Sequence, residues 1–194
     1  MSTLATKTQY TPEDLLAMPD GDRYELVHGN LVERNRSTMS SYIAGVIYWL
    51  LFTFCRPNKL GWLFPEGTTY QCFPDDLNKV RKADVSFIRL ERLSREQAWQ
   101  RGHRRLAPDL AVEVVSTNDL YYEVLAKAQE WLSAGVALVW VVNPPTRGVT
   151  VFRADGSSAI LKEQDELSGE NIIPGFRCPV RELFLLPQDV NATA

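Results

Sequence analysis

Glu113 is a carboxylate in an otherwise apolar stretch, and its surroundings suggest chemistry. It stands inside residues 110–115, whose other members are apolar and mostly of the strand-forming type. A carboxylate buried alone in such a strand costs several kcal/mol, so it must be paired, protonated or bound to a metal. An edge strand with Glu113 facing water is the alternative.

Lys127 lies on the apolar side of a helix that the pattern predicts over residues 119–134. Because about 3.6 residues make a turn, it stands one turn from both Val124 and Trp131. One interpretation is that its stem covers Trp131 while the ammonium reaches water. The other is that the ammonium points to Glu113 on the preceding strand, which is close in a strand–helix–strand unit.

Asp84 starts a predicted strand over residues 83–88. Alone, it is typical of a turn. Two carboxylates and a lysine that converge on one face of a sheet, however, form a site for a hard cation with an added positive donor. The sequence therefore predicts that Asp84, Glu113 and Lys127 share one site.

Other chemistry-bearing residue types are too few or too scattered for a site. The 194 residues include three cysteines, an odd and separated set that predicts neither a disulfide framework nor a zinc site. The two histidines, His28 and His103, exclude a histidine-rich metal site. Residues 1–9 are polar, so no secretory signal is predicted, and the apolar run at 42–55 is shorter than the roughly 20 residues that span a bilayer. We expect a cytoplasmic protein with reduced thiols and no membrane partner.

Charge is uneven along the chain. Residues 79–105 hold nine basic and three acidic side chains, a net charge of +6 in a protein of net charge −3. Such a concentration is typical of a phosphate-facing surface. A solvated loop and helix is the alternative.

The elements that must position these residues form one domain over residues 10–186, with residues 1–9 and 187–194 as flexible ends. Residues 110–142 form, in order, a strand, a helix and a strand with short links, which predicts a βαβ unit with parallel strands. The class is α/β, on the α+β borderline, with helices packed on a mixed sheet. Further helices are predicted over 11–18, 37–54 and 94–104, and further strands over 24–27, 31–34 and on both sides of a turn at 155–156. Asn118 or Asp119 is the predicted cap of the helix at 119–134, and Gly135 its end.

This order of residues resembles the PD-(D/E)xK nuclease superfamily and, within it, the Uma family of restriction-endonuclease-like proteins. The resemblance covers about residues 10–185, and its motifs are specific in combination and not singly. They are YELVHGNLVE at 24–33, RKADVSF at 81–87, APDLAVEVVS at 107–116, Lys127 with Trp131, GV at 135–136 and WVVNP at 140–144.

Two positions depart from the superfamily pattern. That pattern places a lysine two residues after the strand glutamate, where this sequence has Val115. The Uma-type pattern takes its lysine from the following helix, and Lys127 matches that position. The proline usual before the first aspartate is Ala83 here, a change that leaves the carboxylate intact.

The resemblance implies a restriction-endonuclease-like fold and a nuclease site. Asp84, Glu113 and the backbone carbonyl of Val114 would hold Mg²⁺ or Mn²⁺, which polarises a phosphate and lowers the pKa of a bound water. Lys127 would orient that water or stabilise the charge of the transition state. Glu25 matches a family acid that completes the site, with a surface hairpin charge as the alternative.

The function that we expect from the resemblance is a metal-dependent endonuclease acting on DNA. A non-catalytic nucleic-acid-binding or interaction module of the same fold is the alternative. A homodimer that cuts both strands is a further expectation, which no residue of the sequence decides. The predicted phosphate contacts adjoin Asp84 or follow it in the basic stretch: Arg81, Lys82, Arg101, Arg104 and Arg105.

Overall fold

The chain folds around a six-stranded mixed sheet, as seen in a computed structural model that describes residues 9–34, 37–117 and 119–189. The strands Leu110–Val114 and Leu138–Asn143 pair in parallel, and every other pairing in this sheet is antiparallel. The predicted α/β class, mixed sheet and βαβ unit are confirmed. The sheet has the spatial order β10 (Ser158–Leu161), β9 (Gly148–Arg153), β8 (Leu138–Asn143), β7 (Leu110–Val114), β6 (Val85–Arg89) and β3 (Gly61–Pro65).

Three further antiparallel strand pairs lie outside this sheet in the described residues. They are β1 (Tyr24–Val27) with β2 (Asn30–Glu33), β4 (Thr69–Tyr70) with β5 (Arg81–Lys82), and β11 (Glu166–Ser168) with β12 (Arg177–Pro179). The helices are α1 (Pro12–Ala17), α2 (Thr38–Cys55), α3 (Arg95–Trp99) and α4 (Tyr121–Ser133). The predicted hairpins, at residues 24–34 and around 155–156, are confirmed. Residues 1–8 and 190–194, which the prediction of flexible ends includes, lie outside the described ranges.

Helices α2 and α4 cover opposite faces of the sheet. Strand side chains alternate between faces, so neighbouring residues of β7 enter different layers. Val112 packs under α2 with Ile47, whereas Ala111 packs under α4 with Ala128. Glu113 shares its face with Ala111 and therefore points toward α4.

Helix α2 is strongly apolar. Among the described residues it is the one helix that is long and apolar enough to cross a membrane, a test that the core helix of a soluble protein also passes. Its residues Ile43, Ile47 and Leu51 are buried against the sheet. The helix begins after the Ser37 cap, within one residue of the predicted start.

The predicted basic helix over residues 94–104 is wrong in extent. Helix α3 has five residues and ends at Trp99. The side chain of Arg104 donates to the Gln97 carbonyl in the last turn of this helix, and the chain turns at Gly102 with φ +99°. The basic residues that follow therefore lie in a loop, folded back on the helix end.

Helix α4 begins at Tyr121, two residues after the predicted start. The Asp119 carboxylate accepts a hydrogen bond from the Ser116 N–H at 2.8 Å. It closes the turn before the helix and does not cap it. The other predicted cap, Asn118, lies outside the described residues. At the far end Gly135 has φ +92°, the left-handed conformation that commonly follows a helix, as predicted.

Candidate active site

A cavity of about 420 Å³ opens between the β1–β2 hairpin, the end of β7 and the first turns of α4. Its lining contains every residue that the sequence predicted for catalysis or for metal binding: Glu25, Asp84, Glu113, Val114 and Lys127. The structure thus brings these residues together. The roles assigned to them stay predictions.

Asp84 is fixed to β7 by its backbone and by its side chain. Its N–H donates to the Val112 carbonyl at 2.9 Å, and its Oδ2 accepts the N–H of Val114 at 2.7 Å. The residue is 7% exposed. These two bonds hold the carboxylate beside the carboxyl end of β7.

Glu113 projects from β7 to α4, where both of its oxygens are bound. Oε1 accepts the Trp131 indole N–H at 2.7 Å, and Oε2 accepts the Lys127 ammonium at 3.0 Å. Burial raises the pKa of Glu113; Lys127 opposes that rise, and the nearby Asp84 charge adds to it. Because β7 lies inside the sheet, the alternative of an edge strand with a solvated Glu113 is excluded.

The Lys127 ammonium has three oxygen acceptors. They are the Lys82 carbonyl at 2.8 Å, Glu113 Oε2 at 3.0 Å and Glu25 Oε1 at 2.9 Å. An ammonium has three N–H donors, so this set matches its capacity. The side chain is 13% exposed, and its ammonium points into the site and not to water.

Glu25, on β1, is the third buried carboxylate of the cavity. Its Oε1 also accepts the Lys82 N–H at 2.8 Å, and its Oε2 accepts Arg81 Nη1 at 2.9 Å. Burial alone would raise the pKa of Glu25, but Lys127 and the guanidinium groups of Arg34 and Arg81 outweigh burial and lower it well below the usual range. The alternative of a surface hairpin charge does not hold.

Comparison with known proteins agrees with this geometry. The model of the Uma2 family, described as "Putative restriction endonuclease", matches residues 12–181. The chain belongs to the Uma2 family. That family description supports a nuclease-like function, and it confirms the resemblance found in the sequence. A comparison with curated proteins gives no match.

The Uma2 chain is also similar to a solved structure. That structure is described as a putative nuclease belonging to DUF820 from Anabaena variabilis ATCC 29413. The two are 18% identical, with a TM-score of 0.76 over 90% of this chain and 97% of that chain. At this identity the likeness shows the fold.

The departure at Val115 has a structural reason in this Uma2 member. Val115 is buried in the layer that holds Val124 and Trp131 of α4. Lys127 enters from α4 and reaches Glu113 instead. The helix thus supplies the ammonium that the superfamily pattern takes from the strand.

Two of the predicted phosphate contacts, Arg81 and Lys82, bind other groups of the protein. Arg81 donates to Glu25 and, through Nε and Nη2, to Glu130 at 2.8 and 2.9 Å. Lys82 is 1% exposed and its ammonium donates to the Asp22 carbonyl. The structure does not support a phosphate contact for Lys82, because its ammonium is buried and already bound. Arg81 lines the cavity, but its guanidinium is bound by carboxylates on both sides.

The other predicted contacts surround a second cavity of about 420 Å³. Arg101 and Arg105 are exposed there, whereas Arg104 donates to backbone carbonyls at the end of α3. His103 bonds Thr69 Oγ1 at 2.8 Å, and burial lowers the pKa of its imidazole. Arg101 and Arg105 remain available to a ligand.

Sequence reasoning missed Arg34, which follows β2 and enters the first cavity. Its Nη2 donates to Asp84 Oδ1 at 2.8 Å. Burial lowers the pKa of Arg34, but Glu25 and Asp84 raise it by more. The partners are 50 residues apart, so no local pattern marks this contact.

The first cavity offers oxygen donors and no sulfur or imidazole, since neither cysteine nor histidine is among its lining residues. Over the ranges that the structure describes, no group of three cysteine, histidine or acidic side chains is placed to hold a metal. Mg²⁺ usually takes one or two carboxylates and completes its shell with water and substrate phosphate. Asp84, Glu113 and the Val114 carbonyl fit that type of site.

Proposed function

We propose that this Uma2 member is an endonuclease that uses Mg²⁺ or Mn²⁺ to hydrolyse phosphodiester bonds of DNA. The observation that carries the proposal is the convergence of two buried carboxylates, Asp84 and Glu113, with the Lys127 ammonium in one cavity. This combination of acids and an amine is suited to binding a cation and stabilising developing negative charge.

The charge of the cavity supports a bound cation. Six acidic and three basic side chains line it, a net charge of −3. A phosphodiester is itself an anion, so such a cavity repels it unless positive charge is added. A divalent ion at the carboxylates supplies that charge.

Asp84, Glu113 and the Val114 carbonyl are the residues that would hold the cation. When bound, the cation polarises the scissile phosphate and lowers the pKa of a water ligand. Lys127 would exchange one of its carboxylate contacts for the attacking water or a phosphate oxygen, and its charge opposes the negative charge that develops there. Glu25 holds the Lys127 ammonium in place through its contact at 2.9 Å.

The exposed arginines are the proposed contacts to the DNA backbone. Arg104 and Arg81 lie on the two sides of Tyr70, as neighbours in a short sheet. Arg104 and Arg81 are therefore two strand spacings apart, which is about 10 Å. The loop with Arg101 and Arg105 thus lies near the segment that leads into Asp84. A duplex phosphate backbone can meet both regions at once. A homodimer that cuts both strands belongs to this proposal.

A second candidate is a nuclease-fold module that binds nucleic acid without cutting it. The favouring observation is that the site is internally paired: Lys127 has three acceptors, and Asp84 accepts from Arg34 and Val114. These contacts compensate the charges of Lys127 and Asp84 without a ligand.

Cleavage of supercoiled and single-stranded DNA tests the proposal. The protein should cut with millimolar Mg²⁺ or Mn²⁺ and not with EDTA, and Glu113→Gln and Lys127→Ala should each reduce the rate by about 100-fold or more. The matched control is Glu163→Gln, a surface carboxylate paired with Arg147, which should cut at the parental rate. DNA binding with no cleavage under any metal would favour the second candidate. If both site variants cleaved DNA at the parental rate, the activity would lie elsewhere.

A further inference from the structure

Arg34 is a cation already present at the proposed metal site. Its side chain is 11% exposed and lies among three carboxylates. Nη2 is 2.8 Å from Asp84 Oδ1, Nε is 3.7 Å from Glu25 Oε1, and Nη1 is 3.8 Å from Glu66 Oε1. One positive charge thus stands where the proposal places a divalent ion.

Arg34 is held less completely than its neighbour Arg81. Arg34 Nη1 is buried without a hydrogen-bond partner among the described residues, because 3.8 Å to Glu66 is too long for such a bond. Arg81 instead donates three hydrogen bonds to Glu25 and Glu130. A guanidinium with an unsatisfied buried donor is the easier of the two to displace.

The two oxygens of Asp84 also differ in what holds them. Oδ2 accepts the backbone N–H of Val114, which is fixed in β7. Oδ1 accepts the Arg34 side chain, which follows a hairpin and has rotatable bonds. An incoming cation that takes Oδ1 must therefore displace the Arg34 guanidinium, which can rotate away without a shift of the strand.

We propose that Arg34 is a resident counter-ion of Asp84 and that a divalent cation must compete with its guanidinium for that carboxylate. The inference rests on the proposed function in taking Asp84 as a metal ligand. Arg34 is then a positioning residue that lowers the affinity of Asp84 for metal. Its guanidinium compensates the carboxylate when no metal is bound, and the cation replaces it when the metal concentration is high.

Calorimetric titration with Mn²⁺ alone tests this competition. Arg34→Gln should bind Mn²⁺ at least about tenfold more tightly than the parent, which corresponds to about 1.4 kcal/mol. The matched control is Arg23→Gln, from an exposed pair with Glu33 in the same region, and it should bind within about twofold of the parent. Parental binding with no gain in Arg34→Gln overturns this inference alone. No Mn²⁺ binding by either protein overturns the metal-dependent function as well.

A second measurement uses the parental protein and does not depend on the folding of a variant. Phenylglyoxal modifies accessible guanidinium groups, and peptide mapping reports each arginine separately. Saturating Mn²⁺ should increase modification of Arg34 several-fold and leave Arg81 unchanged. Modification of Arg34 that does not respond to saturating Mn²⁺ would show that the ion and the guanidinium do not compete.

Discussion

At the scale of single residues, the site consists of buried charges that compensate one another. Each of Glu25, Glu113 and Lys127 would be costly alone, since an uncompensated buried charge destabilises a protein by several kcal/mol. Lys127 lies within 3.0 Å of both glutamates, and Trp131 binds the remaining oxygen of Glu113. Small changes to these partners should therefore have measurable effects on stability.

The indole N–H of Trp131 gives one such prediction. Trp131→Phe leaves Glu113 Oε1 without its donor and should lower the free energy of unfolding in urea. The matched control is Trp140→Phe, because Trp140 is equally buried but its Nε1 has no partner in the described part of the chain. Trp131→Phe should cost about 1–3 kcal/mol more than the control, the cost of an unsatisfied buried acceptor. Equal losses would mean that the hydrogen bond contributes nothing.

The depressed pKa of Glu25 gives a prediction about pH. In the folded protein this pKa lies below the ordinary value of 4.5. The ionised carboxylate therefore contributes its full stabilisation above about pH 4.5. This stabilisation is lost as the pH falls from there toward the pKa of the folded state. Glu25→Gln cannot titrate, so its deficit in unfolding free energy should be full near neutral pH and shrink below about pH 4.5. Urea unfolding of both proteins across this range checks it, and a deficit independent of pH would contradict the assignment.

At the scale of elements, the βαβ unit was largely predictable because its signals are local. An apolar run, an amphipathic helix and a terminal glycine gave β7, α4 and β8 with ends within two residues of those observed. The helical period also placed Lys127 toward the sheet. The hydrogen-bond partners of Arg34 and Arg81 were not predictable, since they lie 49 or more residues away and are set by how the hairpin and α4 pack. The predicted length of α3 was wrong because Arg104, from the following loop, binds the end of the helix.

Two glycines test the helix geometry in opposite directions. Gly135 has φ +92° and open space around its Cβ position, so Gly135→Ala should destabilise by about 1–2 kcal/mol through the backbone alone. Gly45 lies inside α2 with equally open space, so Gly45→Ala should stabilise by about 0.5–1 kcal/mol. Thermal or urea unfolding compares them, and shifts of the same sign would refute the helix-end assignment.

At the scale of the whole molecule, charge separates the proposed chemistry from the proposed DNA contacts. The active-site cavity is acidic, whereas Arg101 and Arg105 are exposed on a loop across β4. With a net charge of −3, the chain has no general attraction for DNA. Under the proposed function, affinity for DNA would then come from this loop and from the bound metal.

The salt dependence of DNA binding tests the loop. Arg101→Gln with Arg105→Gln should weaken binding to all sequences and lower the slope of log affinity against log salt by about 2. The control pair, Arg177→Gln with Arg181→Gln, removes two other exposed charges, near the far end of the chain, and should leave the slope unchanged. An equal effect of the two pairs would show that the attraction is general and not local.

Anomalous diffraction from crystals soaked in millimolar Mn²⁺ would locate the proposed metal at Asp84 and Glu113. We expect one strong Mn²⁺ peak within about 2.0–2.6 Å of carboxylate oxygens of both Asp84 and Glu113, and its loss in Glu113→Gln. A fully soaked crystal with no peak between these two carboxylates, or with its peak at other residues, would contradict it.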